Sequence, residues 1–306
     1  MLPMLISTML MLMMSLISVA FVTLFERKIL GIMQMRIGPN KTFIMGYFQP
    51  FSDAIKLYLK EKNLPTHSSK TLFLFCPFIS LFIAMNIWMC MPFYKPMIQF
   101  NSSFLIFLSI LGLGVYPILM SGWASNSNYS LLGSMRALAQ TISYEVSLIF
   151  ILFTNSFMAC TIKIQHMSSM QKFFSFYMIL ISFLLWIISM VAELNRTPFD
   201  FAEGESELVS GFNTEYSGGV FAIIFMSEYM MILFFSFFTS NLYISMSPLF
   251  TNLFSFSMVM FTIMWLRVTL PRYRYDKLMM LSWKLILPIS TTHLIFASMS
   301  LTMMKY

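Results

Sequence analysis

Acidic side chains are concentrated in one short stretch of this 306-residue chain. Six of its twelve acids lie close together, and they are Glu193, Asp200, Glu203, Glu205, Glu207 and Glu215. Phenylalanine, alanine, leucine and valine are interleaved with the densest part of this run, although a solvated loop has no need of them. We therefore expect the acidic loop 193–217 to be structured, folded back against the rest of the protein and partly dry.

Crowded carboxyl groups in a dry site cannot all be ionised at once. Like charges at low dielectric raise the pKa of some members and couple their titrations. Such a set is suited to storing or relaying protons. The residues alone leave two alternatives open: a solvated acidic face, or an acidic clamp for basic side chains of a neighbouring subunit.

Two further acids lie inside long apolar stretches. Glu145 is the only charged residue between Arg136 and Lys163, and Glu228 is the only one between Glu215 and Arg267. Ionisable residues within membrane spans are rare and are commonly functional. Because a short glutamate side chain cannot reach the membrane surface from mid-span, we expect both to be protonated or hydrogen-bonded inside the protein. A purely structural hydrogen bond is the alternative.

Metal and nucleotide chemistry have no support in the sequence. Cys76, Cys90 and Cys160 show no paired spacing of the kind that zinc or iron–sulfur sites require. Neither histidine pairs nor a glycine-rich phosphate-binding motif is present. We expect the three cysteines to pack in the core and the chain to bind no metal or cofactor of its own.

The composition indicates the elements that must position these acids. Hydrophobic residues make up 58% of the chain, charged residues only 10%, and the mean hydropathy is +0.77. The fold class predicted is an all-α integral membrane protein, because charge-poor stretches recur that can cross a hydrocarbon core of roughly 30 Å. Eight transmembrane helices are predicted, over residues 2–24, 71–91, 103–123, 137–160, 173–192, 218–242, 249–266 and 285–304. Residues 1–306 then form one polytopic domain, and Gly112 and Gly114 beside Pro117 predict a bend in the third span.

The distribution of basic residues predicts the orientation in the membrane. The odd-numbered loops and their flanks carry 15 of the 19 lysines and arginines. Because basic loops stay on the inner face, the odd loops are expected on the matrix or cytoplasmic side and both termini on the outer side. Loops one, five and seven can therefore build one site together.

The first loop contains an amphipathic pattern. Pro50 stands where the first turn of a helix tolerates proline, and Asp53 and Lys56 lie opposite an apolar stripe. That stripe consists of Phe51, Ala54, Ile55, Tyr58 and Leu59. The pattern predicts an amphipathic helix over 51–62 on the inner membrane surface. A helix that packs only on its own bundle, with no ligand role, is the alternative.

Several runs of residues coincide with one family. They are 26–31 (ERKILG), 36–41 (RIGPNK), 49–54 (QPFSDA), 143–147 (SYEVS), 192–216 and 271–276 (PRYRYD). Over nearly its whole length the chain resembles subunit 1 of NADH:ubiquinone oxidoreductase, respiratory complex I, in its mitochondrially encoded form. The run 192–216 is the most specific part of the resemblance. Ile37 departs from it, because many relatives have a further basic residue there.

The resemblance implies a membrane subunit at the junction of the hydrophilic and membrane arms. Such a subunit forms much of the ubiquinone chamber and couples quinone reduction by NADH-derived electrons to proton translocation. By resemblance, the chamber and its entrance involve Glu26, Arg27, Arg36, Phe51, Asp53, Asp200, Phe201, Glu203, Glu205 and Arg274. The implied proton relay consists of Glu145, Glu193, Glu203, Glu205, Glu207 and Glu228.

The resemblance also implies the surroundings of the chain. Ubiquinone would be the substrate, while flavin and iron–sulfur clusters would belong to partner subunits, so this chain alone has no complete active site. Partners would include the hydrophilic-arm subunits next to the quinone site, the adjacent small membrane subunits and membrane lipids, but no nucleic acid. The location implied is the mitochondrial inner membrane.

Two other functions use the same kind of sequence. A stand-alone ion channel or secondary transporter also has many spans and buried acids. A membrane anchor of a hydrogenase-like complex is the second alternative. The spacing of the spans shows no inverted repeat, and alternating access does not need an acidic inner loop. Co-purification with flavin and iron–sulfur subunits distinguishes the first hypothesis from a solitary transporter.

Overall fold

The computed structural model of the protein describes residues 2–91, 102–164, 176–202, 204, 211–244 and 249–305. Within these ranges the chain is helical and contains no strand. Two short 3-10 turns, Ile44–Gly46 and Gly211–Asn213, interrupt the connections. In chain order the α-helices are α1 (Leu2–Met33), α2 (Gln49–Leu59), α3 (Lys70–Trp88), α4 (Ser103–Leu113), α5 (Val115–Ala124), α6 (Asn128–Ala159), α7 (Phe176–Glu193), α8 (Gly218–Tyr243), α9 (Leu249–Thr269), α10 (Tyr275–Met280) and α11 (Leu287–Lys305).

Seven stretches of described helix are long and apolar enough to cross a membrane. They are Ile6–Met33, Lys70–Trp88, Ser103–Ala124, Asn128–Ala159, Gly218–Tyr243, Thr251–Thr269 and Tyr275–Ser300. The prediction of an all-α, multi-pass membrane protein is thus confirmed. The predicted span 173–192 coincides with α7, whose described apolar part, Ile179–Glu193, is shorter than the other seven. The count of eight spans therefore stays a prediction.

Three helices extend beyond the membrane spans predicted for them, each for the same reason. Helix α1 continues to Met33, past the span end at 24; α6 begins at Asn128, before 137; and the last helical stretch begins at Tyr275, before 285. The predicted spans stop at charged residues, yet Glu, Lys and Arg are good helix formers. A helix that leaves the apolar core can therefore continue. As a result, Glu26 and Arg27 lie on α1 and not in a loop.

The third span is interrupted at the position where the sequence predicts a bend. Helix α4 ends at Leu113 and α5 begins at Val115, with Gly114 between them. Pro117 lies in the first turn of α5, where a missing backbone N–H costs no helical hydrogen bond. The last span also changes geometry, because a π-helical segment, Leu281–Ile286, joins α10 to α11.

An aromatic stack fixes three of the spans relative to one another. The ring of Phe107 on α4 stacks on Phe234 and Phe238 of α8, at centroid distances of 5.4 and 4.7 Å. Trp186 of α7 lies 5.7 Å from Phe238. All four side chains are fully buried. Offset aromatic pairs of this kind add to the stabilisation that burial provides.

A buried polar contact joins α6, α7 and α8. The side-chain amide of Asn155 donates to the hydroxyl of Tyr243 at 2.7 Å, and Ser182 Oγ donates to Asn155 Oδ1 at 3.2 Å. Polar groups inside a bilayer must find partners within the protein. These contacts therefore fix how α6, α7 and α8 are rotated about their own axes relative to one another.

One of the three cysteines contradicts the expected core packing. Cys76 and Cys90 are buried, whereas Cys160 is exposed in this chain. Helix α6 ends at Ala159, and Cys160 follows in the left-handed conformation that ends the helix. The predicted span 137–160 includes Cys160, because hydropathy does not show at which residue a helix ends.

Candidate functional site

A cavity lies between the spans and the segment that follows α7. It contains about 1120 Å³ of space, part of it open to the outside, and its wall includes residues of α3, α5, α6 and α8. Most of this wall is apolar, but five charged side chains also line it. They are Glu193, Arg196, Asp200, Glu228 and Arg267. Three of the acids singled out in the sequence thus meet at one cavity, Glu193 and Asp200 from the acidic loop and Glu228 from α8.

The segment after α7 is held on the helix bundle by its backbone. The amide of Gln140 on α6 donates to the carbonyl oxygens of Ala192 and Phe199, at 2.8 and 2.7 Å. The N–H of Tyr273 donates to Pro198 O at 3.1 Å. These bonds keep the ring of Phe199 buried against the protein.

The far end of the same loop is fixed on α3. The ring of Tyr216 stacks on Phe73 with the centroids 4.1 Å apart, and its hydroxyl donates to Phe73 O at 3.1 Å. Burial raises the pKa of the Tyr216 phenol above its ordinary value, so the hydroxyl keeps its proton. Phe212 and Ala202 pack in the same small cluster. The expectation that the loop folds back is confirmed for its described residues.

The densest part of the acidic run begins just after Phe201. Glu203, Glu205 and Glu207 lie outside the described residues. Phe201, just before them, is 2% exposed, and its ring lies edge-on to Tyr275 at 5.9 Å. Their expected roles in the chamber and the proton relay stay predictions.

Asp200 forms an ion pair with an arginine that the sequence analysis did not single out. The guanidinium of Arg272 donates to Asp200 Oδ2 at 2.9 Å. Asp200 is 8% exposed, so this pair is largely dry. Arg274, expected with Asp200 in the chamber, stands at the start of α10, is mostly exposed and pairs with Asp276 at 3.1 Å. Its expected role in the chamber stays a prediction.

Glu26 lies at the junction of four elements and not at an exposed entrance. The carboxyl is 2% exposed and accepts a hydrogen bond from the hydroxyl of Tyr229 at 2.6 Å. Its other oxygen lies 3.5 Å from Arg196 Nη1 and forms an ion pair with Arg267. Arg196 also lies 4.0 Å from Glu228 and 4.7 Å above the ring of Tyr229. We call these five residues the Glu26 cluster.

The Glu26 cluster shows what sequence reasoning missed. Its members come from α1, α8, α9 and the loop after α7, so no local spacing relates them. One signal was available, because Arg196 and Arg267 are the isolated cations in an acidic loop and in an apolar span. Buried charges need partners, and a buried glutamate at the end of α1 is the partner that both arginines share.

The residues expected at the chamber entrance are only partly brought together. Arg27 forms an ion pair with Asp53, and Gln49 donates to Asp53 at 3.0 Å. The ring of Phe51 lies edge-on to Phe21 of α1 at 6.1 Å. Arg36 is exposed on the connection that follows α1. Helix α2 thus packs on α1 through one polar and one aromatic contact.

The apolar side of α2 is exposed in the chain. Helix α2 begins at Gln49 and ends at Leu59, so the predicted range 51–62 is displaced toward the C-terminus. Pro50 lies in its first turn, as predicted. The exposed side chains on the apolar side are Phe51, Ile55, Tyr58 and Leu59. A position on the membrane surface remains a prediction, and the exposed stripe is what such a position requires.

Glu145 lies against the helix that carries the bend. Its carboxyl oxygen Oε1 would be only 2.8 Å from a Cβ atom placed on Gly112. Because Gly112 has no side chain, the Glu145 carboxyl can lie directly against α4. Leu111 and Gly114, on either side, line the cavity. Glu145 thus contacts α4 directly beside residues of the cavity wall.

The arrangement can do two kinds of chemistry. An apolar cavity with a few polar groups can hold a hydrophobic molecule and orient its polar end. Carboxyl groups along its wall can hold or transfer protons, and they are accompanied by hydroxyls. The hydroxyl-bearing residues of the wall are Ser80, Ser121, Thr141, Thr197 and Ser227. Within the described ranges, no three His, Cys, Asp or Glu side chains converge as metal ligands.

Comparisons with known proteins agree with this description. Residues 6–298 match the family described as "NADH dehydrogenase". The chain is 50% identical to NADH-ubiquinone oxidoreductase chain 1 of Aedes aegypti, over 92% of this chain and 90% of that protein. It is 48% identical to the chain 1 protein of Artemia franciscana over 92% and 94%, and 44% identical to that of Strongylocentrotus purpuratus over 90% and 88%.

Proposed function

The chain belongs to the NADH dehydrogenase family, and from this membership we propose how its cavity takes part in ubiquinone reduction. As relatives of the same length are chain 1 of NADH-ubiquinone oxidoreductase, the chain is a membrane subunit of that multi-subunit enzyme, respiratory complex I. We propose that it forms much of the ubiquinone chamber. We also propose that it couples quinone reduction to proton translocation through a set of acids within the membrane. The reaction needs partner subunits, because no complete active site belongs to this chain.

One observation carries the proposal: charged residues from the loop after α7 and from helices α7, α8 and α9 line a single cavity in an otherwise apolar bundle. Quinone has a polar head and an apolar tail, so it needs such a mixed wall. Asp200 and Arg272 are placed to set the polarity of the wall where the loop after α7 begins. Phe201, Glu203, Glu205 and Arg274 are proposed to complete the chamber with neighbouring subunits.

The proton relay is proposed to begin in the same wall. Glu193 and Glu228 line the cavity, and Glu145 lies against Gly112, next to Leu111 of the wall. Hydroxyls line the same wall, where Ser227 Oγ donates to Ser80 Oγ at 3.2 Å. We propose that Glu203, Glu205 and Glu207 extend this set toward the quinone. Proton loading at the chamber could then move charge toward the adjacent membrane subunits.

The partners and cofactors follow from the same proposal. Flavin and iron–sulfur clusters are proposed to lie in hydrophilic-arm subunits next to the chamber, and small membrane subunits to lie beside the acids. Several apolar helices make the chain a multi-pass membrane protein, and we propose the mitochondrial inner membrane as its location. Family membership sets aside the stand-alone transporter and the hydrogenase-type anchor.

The entrance to the chamber gives the most direct test. We expect ubiquinone to enter from the bilayer between α1, α2 and α8, since its isoprenoid tail would otherwise be exposed to water at a cost that scales with its area. The contacts of Arg27 with Asp53 and of Phe51 with Phe21 frame this opening. A photoreactive quinone analogue should label segments 20–60 and 200–230 in the intact complex, and site inhibitors should compete. Labelling confined to the second, third or eighth predicted span would contradict the portal.

The orientation has its own test, which rests on the charge split between the loops. In mitochondria stripped of the outer membrane, an antibody or protease should reach the Tyr306 end from outside. The loop 193–217 should be reached only after the inner membrane is opened. Access to the C-terminus from the matrix side alone would show that the orientation is reversed.

A further inference from the structure

A buried amide on α6 bridges the two ends of the segment that brings charge into the cavity. Gln140 is 0% exposed, and its Nε2 group lies within 2.8 Å of two carbonyl oxygens. One belongs to Ala192, in the last turn of α7, and the other to Phe199. The amide thus joins the two ends of the segment 192–199, which carries Glu193 and Arg196. Asp200 follows this segment directly.

The orientation of this amide is determined by its partners. A flipped side chain would set Oε1 against two carbonyl oxygens, and an oxygen can donate to neither. Both N–H groups are therefore committed to the bridge. Among the described residues Oε1 has no hydrogen-bond partner. Burying the amide oxygen of Gln140 without a hydrogen-bond partner costs stability. In return, the amide nitrogen donates two hydrogen bonds that form the bridge.

Among the residues that the structure describes, no other side chain ties the same two points together. The bond of Tyr273 to Pro198 and the bond of Thr197 Oγ1 to Arg267 O fix the middle of the segment on the seventh loop and on α9. Within this part of the chain, Gln140 alone reaches both the end of α7 and Phe199. We propose that Gln140 is a positioning residue, which sets where the carboxyls of Glu193 and Asp200 lie in the cavity wall. This inference rests on the proposed function of that wall.

The test uses two replacements of nearly the same shape in the intact complex. Gln140→Met removes both donors, whereas Gln140→Glu offers a single O–H donor when protonated and none when ionised. In Gln140→Met we expect quinone-linked turnover to fall about tenfold, with NADH oxidation by a water-soluble acceptor unchanged. In Gln140→Glu the deficit should shrink as the pH is lowered, and no such recovery should occur in Gln140→Met.

Matched variants separate positioning from folding. Thr154→Val on α6 removes a hydroxyl that bonds only within its own helix, to Ile151 O, and should behave as wild type. If Gln140→Met does not assemble, Gln140→Asn, which keeps the donors one methylene shorter, replaces it and should show the same loss. Wild-type turnover and pH profile in Gln140→Met, or equal losses in the Met and Glu variants at every pH, would overturn the inference.

A reference variant distinguishes this inference from the function on which it rests. Glu193→Gln should slow quinone-linked turnover if the wall acids take part in coupling. If Glu193→Gln is slow and Gln140→Met is not, the positioning role alone fails. If Glu193→Gln turns over at the wild-type rate, the proposed role of the wall itself fails.

Discussion

Replacing Glu26 by glutamine is expected to destabilise the assembled complex by about 3–5 kcal/mol, the range found when one partner is removed from a buried ion pair. The shape of the side chain is nearly kept, so packing is not the cause. The carboxylate is the shared partner of Arg196 and Arg267, and without it those guanidinium groups face each other across a neutral amide. Thermal inactivation of the purified complex measures the effect.

The control for Glu26 is an exposed pair in the same chain. Arg274 and Asp276 have side chains that are 77% and 64% exposed, and solvated pairs contribute at most about 1 kcal/mol. Asp276→Asn should therefore leave the inactivation temperature nearly unchanged. Equal effects of Glu26→Gln and Asp276→Asn would mean that the Glu26 cluster is solvated in the complex.

Replacing Glu145 by glutamine is expected to lower quinone-linked turnover and proton translocation by about a hundredfold, the lower end of the range for the loss of a proton-transferring group. The amide keeps the size of the side chain but cannot exchange the proton. Oxidation of NADH by a water-soluble artificial acceptor should persist, because that reaction does not need this chain's cavity. Glu203→Gln and Glu205→Gln should behave in the same way if those acids belong to the relay.

Displacing the Glu145 carboxyl should resemble neutralising it. In Gly112→Ala the new methyl group would come within 2.8 Å of Glu145 Oε1, so the carboxyl must move away from α4. Ser109→Ala on the same helix removes an exposed hydroxyl that bonds only to Ile106 O and serves as the control. Loss of both activities together with loss of assembled complex would show that Glu145 is structural. Glu61→Gln, on an exposed acid, checks for a general effect of charge.

The sequence by itself determined the class of fold and most of its helices. A span must bury every backbone polar group within itself, so long apolar stretches leave the helix as the available structure, and local composition is enough to find them. The same locality explains the bend at Gly114 and the first turn of α2 at Pro50. It also explains why α1 extends to Met33 and α6 begins at Asn128, beyond the predicted spans. Hydropathy indicates which residues lie in the hydrocarbon core, and a helix can continue outside that core.

Which charges meet was decided by the tertiary structure alone. Glu26, Arg196, Tyr229 and Arg267 lie far apart in the chain, and their contact depends on how α1, α8 and α9 pack. In the same way, Arg272 pairs with Asp200 while Arg274, two positions further on, pairs with Asp276. Electrostatic interactions depend on distance and burial, and neither can be read from residue types. The sequence identifies the acids, and the packing of the helices determines which side chains they contact.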